Sequence, residues 1–442
     1  MFRRLIIASA AVCALAASTV SPAMALGYAH GKVVSADPVD FTPHVQDGTV
    51  LAVAVVADRV YVGGTFTTVV NAGTSTKLVR NYLFAFDRAT GRVLDFAPSL
   101  DGAVETIAPA PDGASIIIGG RFKTVQGTAQ RSLAMLAPNG TRVSSFAART
   151  NGYVKKIVVR GNRLFAGGRF STANGVARAN LAAFDATAGK LDTLFTIDVS
   201  EGRTKSNGTV TKPSVYELDA DADGSRLVVI GNFRQVAAQQ RMQVAMIDLT
   251  NSTLSSWYTT RYPNDVSGSL GYQCSQVFDT QMRDVEFSPD GSYFVVVTTG
   301  GAPDRNTKSL CDTAARWETT AKLAVGEKET WYNCTGGDTL LSVAVTARAG
   351  LTSDGAVYVG GHQRWLDNCG GRDNAVPGSF AADGIGAIDA NTGKAIRDWN
   401  PGRTRGVGAE ELVADAEGLY IGSDTEELGG EYHARLGLFP LN

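Results

Sequence analysis

The sequence predicts an all-β protein, a seven-bladed β-propeller with four antiparallel strands in each blade. Two observations support this: a strand ending in Gly-Gly or a variant of it recurs seven times, and a tight turn precedes most copies. The steps between copies average about 60 residues. The copies reach Gly64, Gly120, Gly168, Gly231, Gly301, Gly361 and Gly422.

Each repeat has room for four strands. An alternating run such as Leu51–Ala57 precedes the Gly-Gly strand, and turns such as Asp112-Gly113 join the two. A third run follows, Leu83–Asp87 in the first repeat, and a fourth short run ends in Asp95–Pro98. Radial repetition of such units is typical of propellers.

The two ends of the chain share one repeat. The last repeat stops after its third strand at Leu436–Leu441, while Gly31–Pro43 echoes Gly91–Pro98. We therefore expect the N-terminal strand to complete the last blade and protect its edge. Two smaller β domains are the alternative, against which the continuous spacing argues.

Five phrases of the chain match those of a known family, namely Tyr61–Phe66, Ser288–Gly291, Gly360–Trp365, Gly384–Asp389 and Arg403–Gly408. With these phrases the chain resembles secreted actinobacterial β-propellers with delta-60, kelch-like repeats. The resemblance covers nearly all of the chain after residue 25. It implies the fold and export but no established activity, so no catalytic residue is carried over.

The first 25 residues read as a signal peptide. Arg3 and Arg4 precede the apolar stretch Leu5–Ala17, and Ala23–Ala25 is a small-x-small cleavage site. We expect a single propeller domain over 26–442, secreted by the ordinary route, with the twin-arginine route as the alternative. No later segment has 18 uninterrupted apolar residues, so no membrane span is expected.

The four cysteines after the signal predict two disulfides in an oxidising compartment. Three connectivities are open, and we favour Cys274–Cys311 with Cys334–Cys369. The cysteines show no paired zinc-site spacing, so no metal site and no cofactor are expected. A net charge of -2 gives no reason to expect nucleic acid as a partner.

Long loops in the second half mark the face where we expect function. The inserted stretches are 258–281, 302–338 and 362–383, and we place Trp317, Trp331 and Trp365 in them. Aromatic rings with neighbouring arginines can stack on a ligand, while packing within the loops is the structural alternative. The candidate binding residues are Arg121, Arg169, Arg316, Trp317, His362, Arg364, Trp365, Arg403 and Arg405.

Two polar sets are expected around the channel mouth. Their mixed charges suit a polar ligand, while structural ion pairs are the alternative. The set after Gly-Gly is Thr65, Arg121, Arg169, Asn232, Ala302, His362 and Asp424. The set just before the first strands is Glu105, Lys155, Glu217, Arg283, Asp284, Glu410 and Glu411.

These signals predict a secreted monomer that binds an extracellular glycan or surface protein on its loop-rich face. The alternative is a glycoside hydrolase or lyase at the channel mouth. Its candidate catalytic residues are His362, Glu410, Glu411 and Asp424. The calcium-like phrase Asp219–Gly224 is interpreted as a hairpin turn, because Ile230 stands where a chelating Glu is needed.

Overall fold

The computed structural model describes residues 29–30, 33–205, 207–262, 274–275, 277–301, 310–321, 326–348 and 355–442. The regular structure in these residues consists of β-strands, with no helix. A parallel pair, Ala29–His30 with Ala347–Arg348, stands apart from the antiparallel sheets described below. The predicted signal peptide lies outside the described residues.

Seven antiparallel sheets follow one another along the described chain. Sheet 1 contains Val50–Val56, Arg59–Gly64 and Leu83–Asp87. Sheet 2 contains Val104–Pro109, Ile116–Gly120 and Leu133–Leu136, and sheet 3 contains Tyr153–Arg160, Arg163–Arg169 and Leu181–Asp185. Sheet 4 contains Val215–Ala220, Arg226–Gly231, Val244–Asp248 and Thr253–Leu254.

The later sheets repeat this order. Sheet 5 contains Met282–Phe287, Tyr293–Thr298, Thr313–Glu318 and Trp331–Cys334. Sheet 6 contains Leu340–Val345, Ala356–Gly361 and Ile385–Asp389, and sheet 7 contains Ala409–Ala414, Gly418–Ser423 and Leu436–Pro440. The prediction that 302–338 is one inserted loop is therefore wrong, because it contains two strands of sheet 5.

The hydrophobic core lies between neighbouring sheets. Tyr61 and Phe96 of the first repeat pack with Ile116 and Ile118 of sheet 2, and similar clusters occupy the following gaps. Strands covered on both faces need continuous apolar runs, which explains the nearly unbroken hydrophobic sequence of the second strands. The cluster between sheets 7 and 1 joins Tyr420 to residues of the first repeat.

The first strands of consecutive sheets contact one another from sheet 1 to sheet 7, and the first strand of sheet 7 contacts that of sheet 1. Glycine permits this approach. A Cβ on Gly63 would lie 2.7 Å from Val104 Cγ1 in the next sheet, and a Cβ on Gly422 would lie 2.7 Å from Val50 Cγ1. The first glycine of the repeated Gly-Gly pair is thus required for the close packing of neighbouring sheets.

The N-terminal segment runs beside the last strand of sheet 7. The backbone N–H groups of Ser35 and Val39 donate to the carbonyls of Pro440 and Leu438 at 2.8 and 2.9 Å. The Trp399 indole donates to the Ser35 carbonyl at 3.1 Å. These bonds join residues near the two ends of the chain.

The connections from second to third strands form short hairpins rather than open loops. In sheet 1 the hairpin Thr68–Val70 with Lys77–Val79 pairs with His44–Val45, which leads into that sheet. Leu100, Thr150 and Arg403 make equivalent bridges to later hairpins. Val199–Gly202 precedes sheet 4 and pairs with Phe233–Val236 in the way that His44–Val45 pairs with Thr68–Val70. The hairpin strands of sheets 2, 3, 4, 6 and 7 are Thr124–Val125, Thr128–Ala129, Thr172–Ala173, Val176–Ala177, Phe233–Val236, Gln239–Gln240, Trp365–Leu366, Phe380–Ala381, Glu427–Leu428 and Glu431–Tyr432.

Replacing Gly422 with Ala should destabilise the protein by about 1–3 kcal/mol, because the new Cβ overlaps Val50 in the tightly packed gap between sheets 7 and 1. Denaturant unfolding measures the loss. Val50→Ala removes the overlapping methyl groups, so Gly422→Ala should cost less in that background. An equal cost in both backgrounds would contradict the packing role.

Candidate functional site

A register shift near the start of every first strand shapes the candidate site. In sheet 3 it falls between Val154 and Lys156, and the equivalent shift recurs in the other six sheets. Such bulges insert one unpaired residue and redirect side chains. We call the bulged residues the mouth ring, namely Leu51, Glu105, Lys155, Tyr216, Arg283, Leu341 and Glu410.

Charges within the mouth ring pair across sheets. Lys155 Nζ lies 3.0 Å from Glu105 Oε2, and Arg121 donates to the other oxygen of Glu105. The Arg121 guanidinium also lies 4.4 Å from the centre of the Tyr153 ring. The Arg121 side chain remains 54% exposed, so the stacked pair borders solvent.

One residue further along, side chains meet across the centre. Lys156 Nζ lies 3.2 Å from Glu217 Oε2 and 3.7 Å from Glu411 Oε2. Glu217 belongs to sheet 4, the direct neighbour of sheet 3, whereas Glu411 belongs to sheet 7, across the centre from sheet 3. The first strands therefore surround a central channel in which Lys156 links opposite walls.

Acids outnumber bases in this inner layer. Burial raises the pKa of Glu217 to about 8 and that of Glu411 to about 7, and nearby Asp284 adds to both shifts while Lys156 opposes them. Burial alone would lower the pKa of Lys156, but Glu217, Glu411 and Asp284 raise it well above its ordinary value. Lys156 thus stays protonated at neutral pH, and Glu217 and Glu411 lose their protons at a higher pH than ordinary carboxyl groups do.

A cavity of about 240 Å³ lies beyond Lys156, toward the ends of the sheets that carry the short hairpin turns. Asp219, Glu286 and Arg160 line it, and Arg160 lies 3.1 Å from Asp219. Burial raises the pKa of both acids. Asp219 is thus a channel residue at the end of its strand, while Asp221–Gly224 forms the predicted turn, in which the Gly224 N–H donates to the Asp221 carbonyl at 3.0 Å.

Within the described residues, no hydrogen bond or ion pair joins any two of the candidate catalytic residues His362, Glu410, Glu411 and Asp424. His362 Nδ1 lies 2.5 Å from the Gly406 carbonyl, and no ion pair links His362 to a carboxylate within the described residues. Asp424 accepts the backbone N–H groups of Val407 and Gly408. Burial raises the pKa of Glu410, which belongs to the mouth ring, whereas Glu411 lies beside Lys156.

Several candidate binding residues hold the structure together. Asp338 accepts Arg364 at 2.8 and 3.0 Å and Arg405 at 3.3 Å. Arg364 also stacks 4.3 Å from the centre of the half-buried Trp365 ring. Arg403 is buried and donates to backbone carbonyls including Gly361, and its burial lowers the pKa to about 10.

The placement of Arg316 and Trp317 in an inserted loop is wrong. Both lie on Thr313–Glu318, the third strand of sheet 5. Trp317 is fully buried and donates to the Tyr262 hydroxyl at 3.1 Å, and Arg316 stacks 3.8 Å from the centre of the Tyr293 ring. These contacts belong to the core.

One member of the polar set after Gly-Gly was assigned to the wrong residue. Thr298 pairs with Met282 as Gly64 pairs with Val50, so Thr299 takes the position assigned to Ala302. Ala302 lies outside the described residues. Arg169, another member of this ring, is exposed.

The sequence missed Lys156 and Glu286 as channel residues. Their signal is a charged residue within the alternating run of a first strand, as at Lys156 before Ile157 and at Glu286 between Val285 and Phe287. The second polar set predicted from sequence lies within the first strands rather than just before them, because each of these strands begins earlier than predicted. Its members are Glu105, Lys155, Arg283 and Glu410 in the mouth ring, and Glu217, Asp284 and Glu411 one residue further along.

No family model matches the chain, and no curated protein does. Among solved structures, the chain is similar to the β-propeller domain of Cps50 (Swd1) from Myceliophteria thermophila. The TM-score is 0.50 at 9% identity, over 90% of this chain and 99% of that one. The chain has a β-propeller fold. At this identity the likeness concerns the fold alone.

Two disulfides hold the propeller's longer connections, with the connectivity favoured from sequence. Cys274 pairs with Cys311 and Cys334 with Cys369, at Cα–Cα distances of 5.6 and 4.9 Å. Such bonds indicate an oxidising environment. Within the described residues, no helix is long and apolar enough to cross a membrane.

The stability of the propeller should fall between pH 5 and pH 8. Unfolding returns Glu217 to its ordinary pKa of 4.5, whereas the folded protein holds its proton up to about pH 8. The contribution of Glu217 to the free energy of unfolding is therefore complete below pH 4.5 and is lost as the pH rises through 8. Between pH 5 and pH 8, the Glu217→Gln variant should lose at least about 1 kcal/mol less stability than wild type, as measured by denaturant unfolding.

Glu426→Gln is the matched control, because Glu426 is exposed on a hairpin. It should show the wild-type pH dependence. A Glu217→Gln variant that loses as much stability as wild type between pH 5 and pH 8 would contradict the assignment.

Proposed function

We propose that this protein is an exported seven-bladed β-propeller that binds an extracellular glycan at the mouth ring. The observation that carries the proposal is the juxtaposition of Arg121, Lys155 and Glu105 with the Tyr153 ring at the channel entrance. Charged donors and acceptors beside an aromatic face suit a sugar, whose hydroxyls need hydrogen bonds and whose ring faces stack on aromatic groups.

The blade assignment rests on the sheets. Seven antiparallel sheets follow in chain order, and contacts between first strands run from each sheet to the next and from the seventh to the first. The backbone bonds from Ser35 and Val39 support the N-terminal strand as the fourth strand of the last blade. Residues 26–442 are proposed as this one domain.

Export is proposed from two separate features. Residues 1–25 have the charged, apolar and small-residue order of a signal peptide. The two disulfides fit the oxidising environment that an exported chain meets. The matching repeat phrases support membership of the secreted delta-60, kelch-like family as part of the same proposal.

A glycan is favoured over a surface protein because the polar groups of the mouth ring surround the entrance of the central channel. Tyr216 and Arg283 continue the ring beyond Lys155, and burial changes the pKa of both, upward for Tyr216 and downward for Arg283. A recessed site of this kind accepts a chain end or a single sugar unit more readily than a flat protein surface.

Catalysis is not part of the proposal. The glycosidic alternative needs a pair of suitably placed acids or a base beside an acid. His362 instead contacts the Gly406 carbonyl, and Asp424 is occupied by backbone donors. Glu410 remains available at the mouth ring as a hydrogen-bonding group for a ligand.

A glycan array of cell-wall and plant polysaccharides should identify a ligand, and titration calorimetry with that ligand should then test the ring. Tyr153→Ala and Arg121→Gln should each weaken binding about tenfold, through loss of stacking and of a charged donor. Arg364 and Trp365 lie outside the ring, so Trp365→Ala should have little effect.

Arg92→Gln is the charge-matched control, since Arg92 is exposed on a turn at the opposite ends of the strands. It should bind as wild type does. The absence of any glycan ligand, or wild-type affinity in both ring variants, would overturn the proposal. Binding of a protein partner with no glycan bound would favour the surface-protein alternative.

A further inference from the structure

A separate polar cluster lies where the N-terminal segment meets sheet 7. Asp40, Glu431 and His433 each place one possible ligand atom within 4.8 Å of the others. The two carboxylates are exposed, whereas His433 is only 3% exposed. A nearly buried imidazole therefore faces two acids that reach solvent.

Hydrogen bonding fixes the orientation of this imidazole. His433 Nδ1 lies 3.3 Å from Thr42 Oγ1, and that hydroxyl donates to the Leu436 carbonyl at 3.4 Å. When the Thr42 hydroxyl donates to Leu436, Nδ1 is the donor to Thr42, and this tautomer has a lone pair on Nε2. Nε2 lies 3.7 Å from Glu431 Oε2, longer than a hydrogen bond.

The position of His433 carries an arginine in sheets 1, 3 and 4 and Gln130 in sheet 2. His433 N–H donates to the Glu426 carbonyl, as Arg80, Arg178 and Arg241 do to equivalent carbonyls in sheets 1, 3 and 4. Those arginines donate onward to the carbonyls of Leu94, Thr193 and Ser255 in the fourth-strand segments. In sheet 7 the shorter, neutral imidazole replaces the guanidinium.

The residues around His433 also depart from the repeat. The position of Glu431 is occupied by Leu78, Val176 and Gln239 in other hairpins, none of which is acidic. His44 lies beside the cluster with its ring centre 6.1 Å from that of His433, and its buried Nδ1 has no hydrogen-bond partner. Beside sheet 7, the imidazoles of His44 and His433 and the carboxylates of Asp40 and Glu431 thus lie where sheets 1, 3 and 4 each have an arginine.

We propose that Asp40, Glu431 and His433 bind one zinc-class divalent cation, which ties the N-terminal segment to the last sheet. An imidazole nitrogen with carboxylate oxygens favours Zn²⁺ over Ca²⁺, which takes oxygen ligands. Tetrahedral Zn²⁺ needs ligand atoms about 3.3 Å apart, a spacing that rotation of the two exposed carboxylates can provide. Thr42 is the outer partner that orients His433. The site departs from our sequence-based expectation of no metal.

Calorimetric titration of the full chain without an affinity tag, using Zn²⁺ as the probe, tests the site. One equivalent should bind, Zn²⁺ should raise the unfolding midpoint, and a chelator should reverse the shift. Co²⁺ should give the visible absorption of a bound ion, whereas Ca²⁺ should leave the midpoint unchanged. No Zn²⁺ binding, or stabilisation by Ca²⁺ alone, would overturn the proposal.

His433→Gln should weaken Zn²⁺ binding by more than the about 10–100-fold expected for Thr42→Val, which removes only the outer partner. Glu431→Gln serves as the second ligand variant, because its side chain is 48% exposed and its loss should not prevent folding. His362→Gln is the matched control and should bind as wild type does. Unchanged affinity in the Glu431 and His433 variants would place the ion elsewhere.

Discussion

The close approach of neighbouring sheets at glycine is the constraint on which the rest of this propeller depends. Gly63 leaves room for Val104 of the next sheet, and Gly422 leaves room for Val50 where the last sheet meets the first. A side chain at either position would separate two sheets and open the apolar layer between them. The contact between sheets 7 and 1 therefore obeys the same geometry as the steps within the chain.

This packing leaves backbone N–H and carbonyl groups without strand partners at the centre, because no further strand pairs with the inner edge of each first strand. Side chains from the neighbouring sheet supply some of the missing acceptors. Asp219 accepts the Phe287 N–H at 2.9 Å, and Asp284 accepts the Val343 N–H at 2.8 Å. Burial raises the pKa of these same two acids. The channel acids are thus part of the scaffold as well as of the candidate site.

The sequence predicted the strands best where the signal is local. Gly-Gly ends, acidic-glycine turns and alternating runs each depend on a few neighbouring residues, and both cysteine pairs were also predicted correctly. Sheet 5 was misread because Gly300-Gly301 resembles the repeat, although Thr298 is the residue that pairs with Met282. Pairing register and the meeting of Lys156 with Glu411 depend on contacts between distant residues, which one sequence does not reveal.

A repeated scaffold makes its positions equivalent, so specificity must arise where the repeat is broken. In the mouth ring, Leu51 and Leu341 occupy the positions that carry Glu105, Lys155 and Arg283 in other sheets. Three of the four charges lie along the arc from Glu105 to Arg283, with Tyr216 between Lys155 and Arg283. The fourth, Glu410, lies between the two leucines on the other side of the ring. Because the side chains around the entrance differ, they favour one orientation of a bound ligand over others, which a ring of identical sheets would not do.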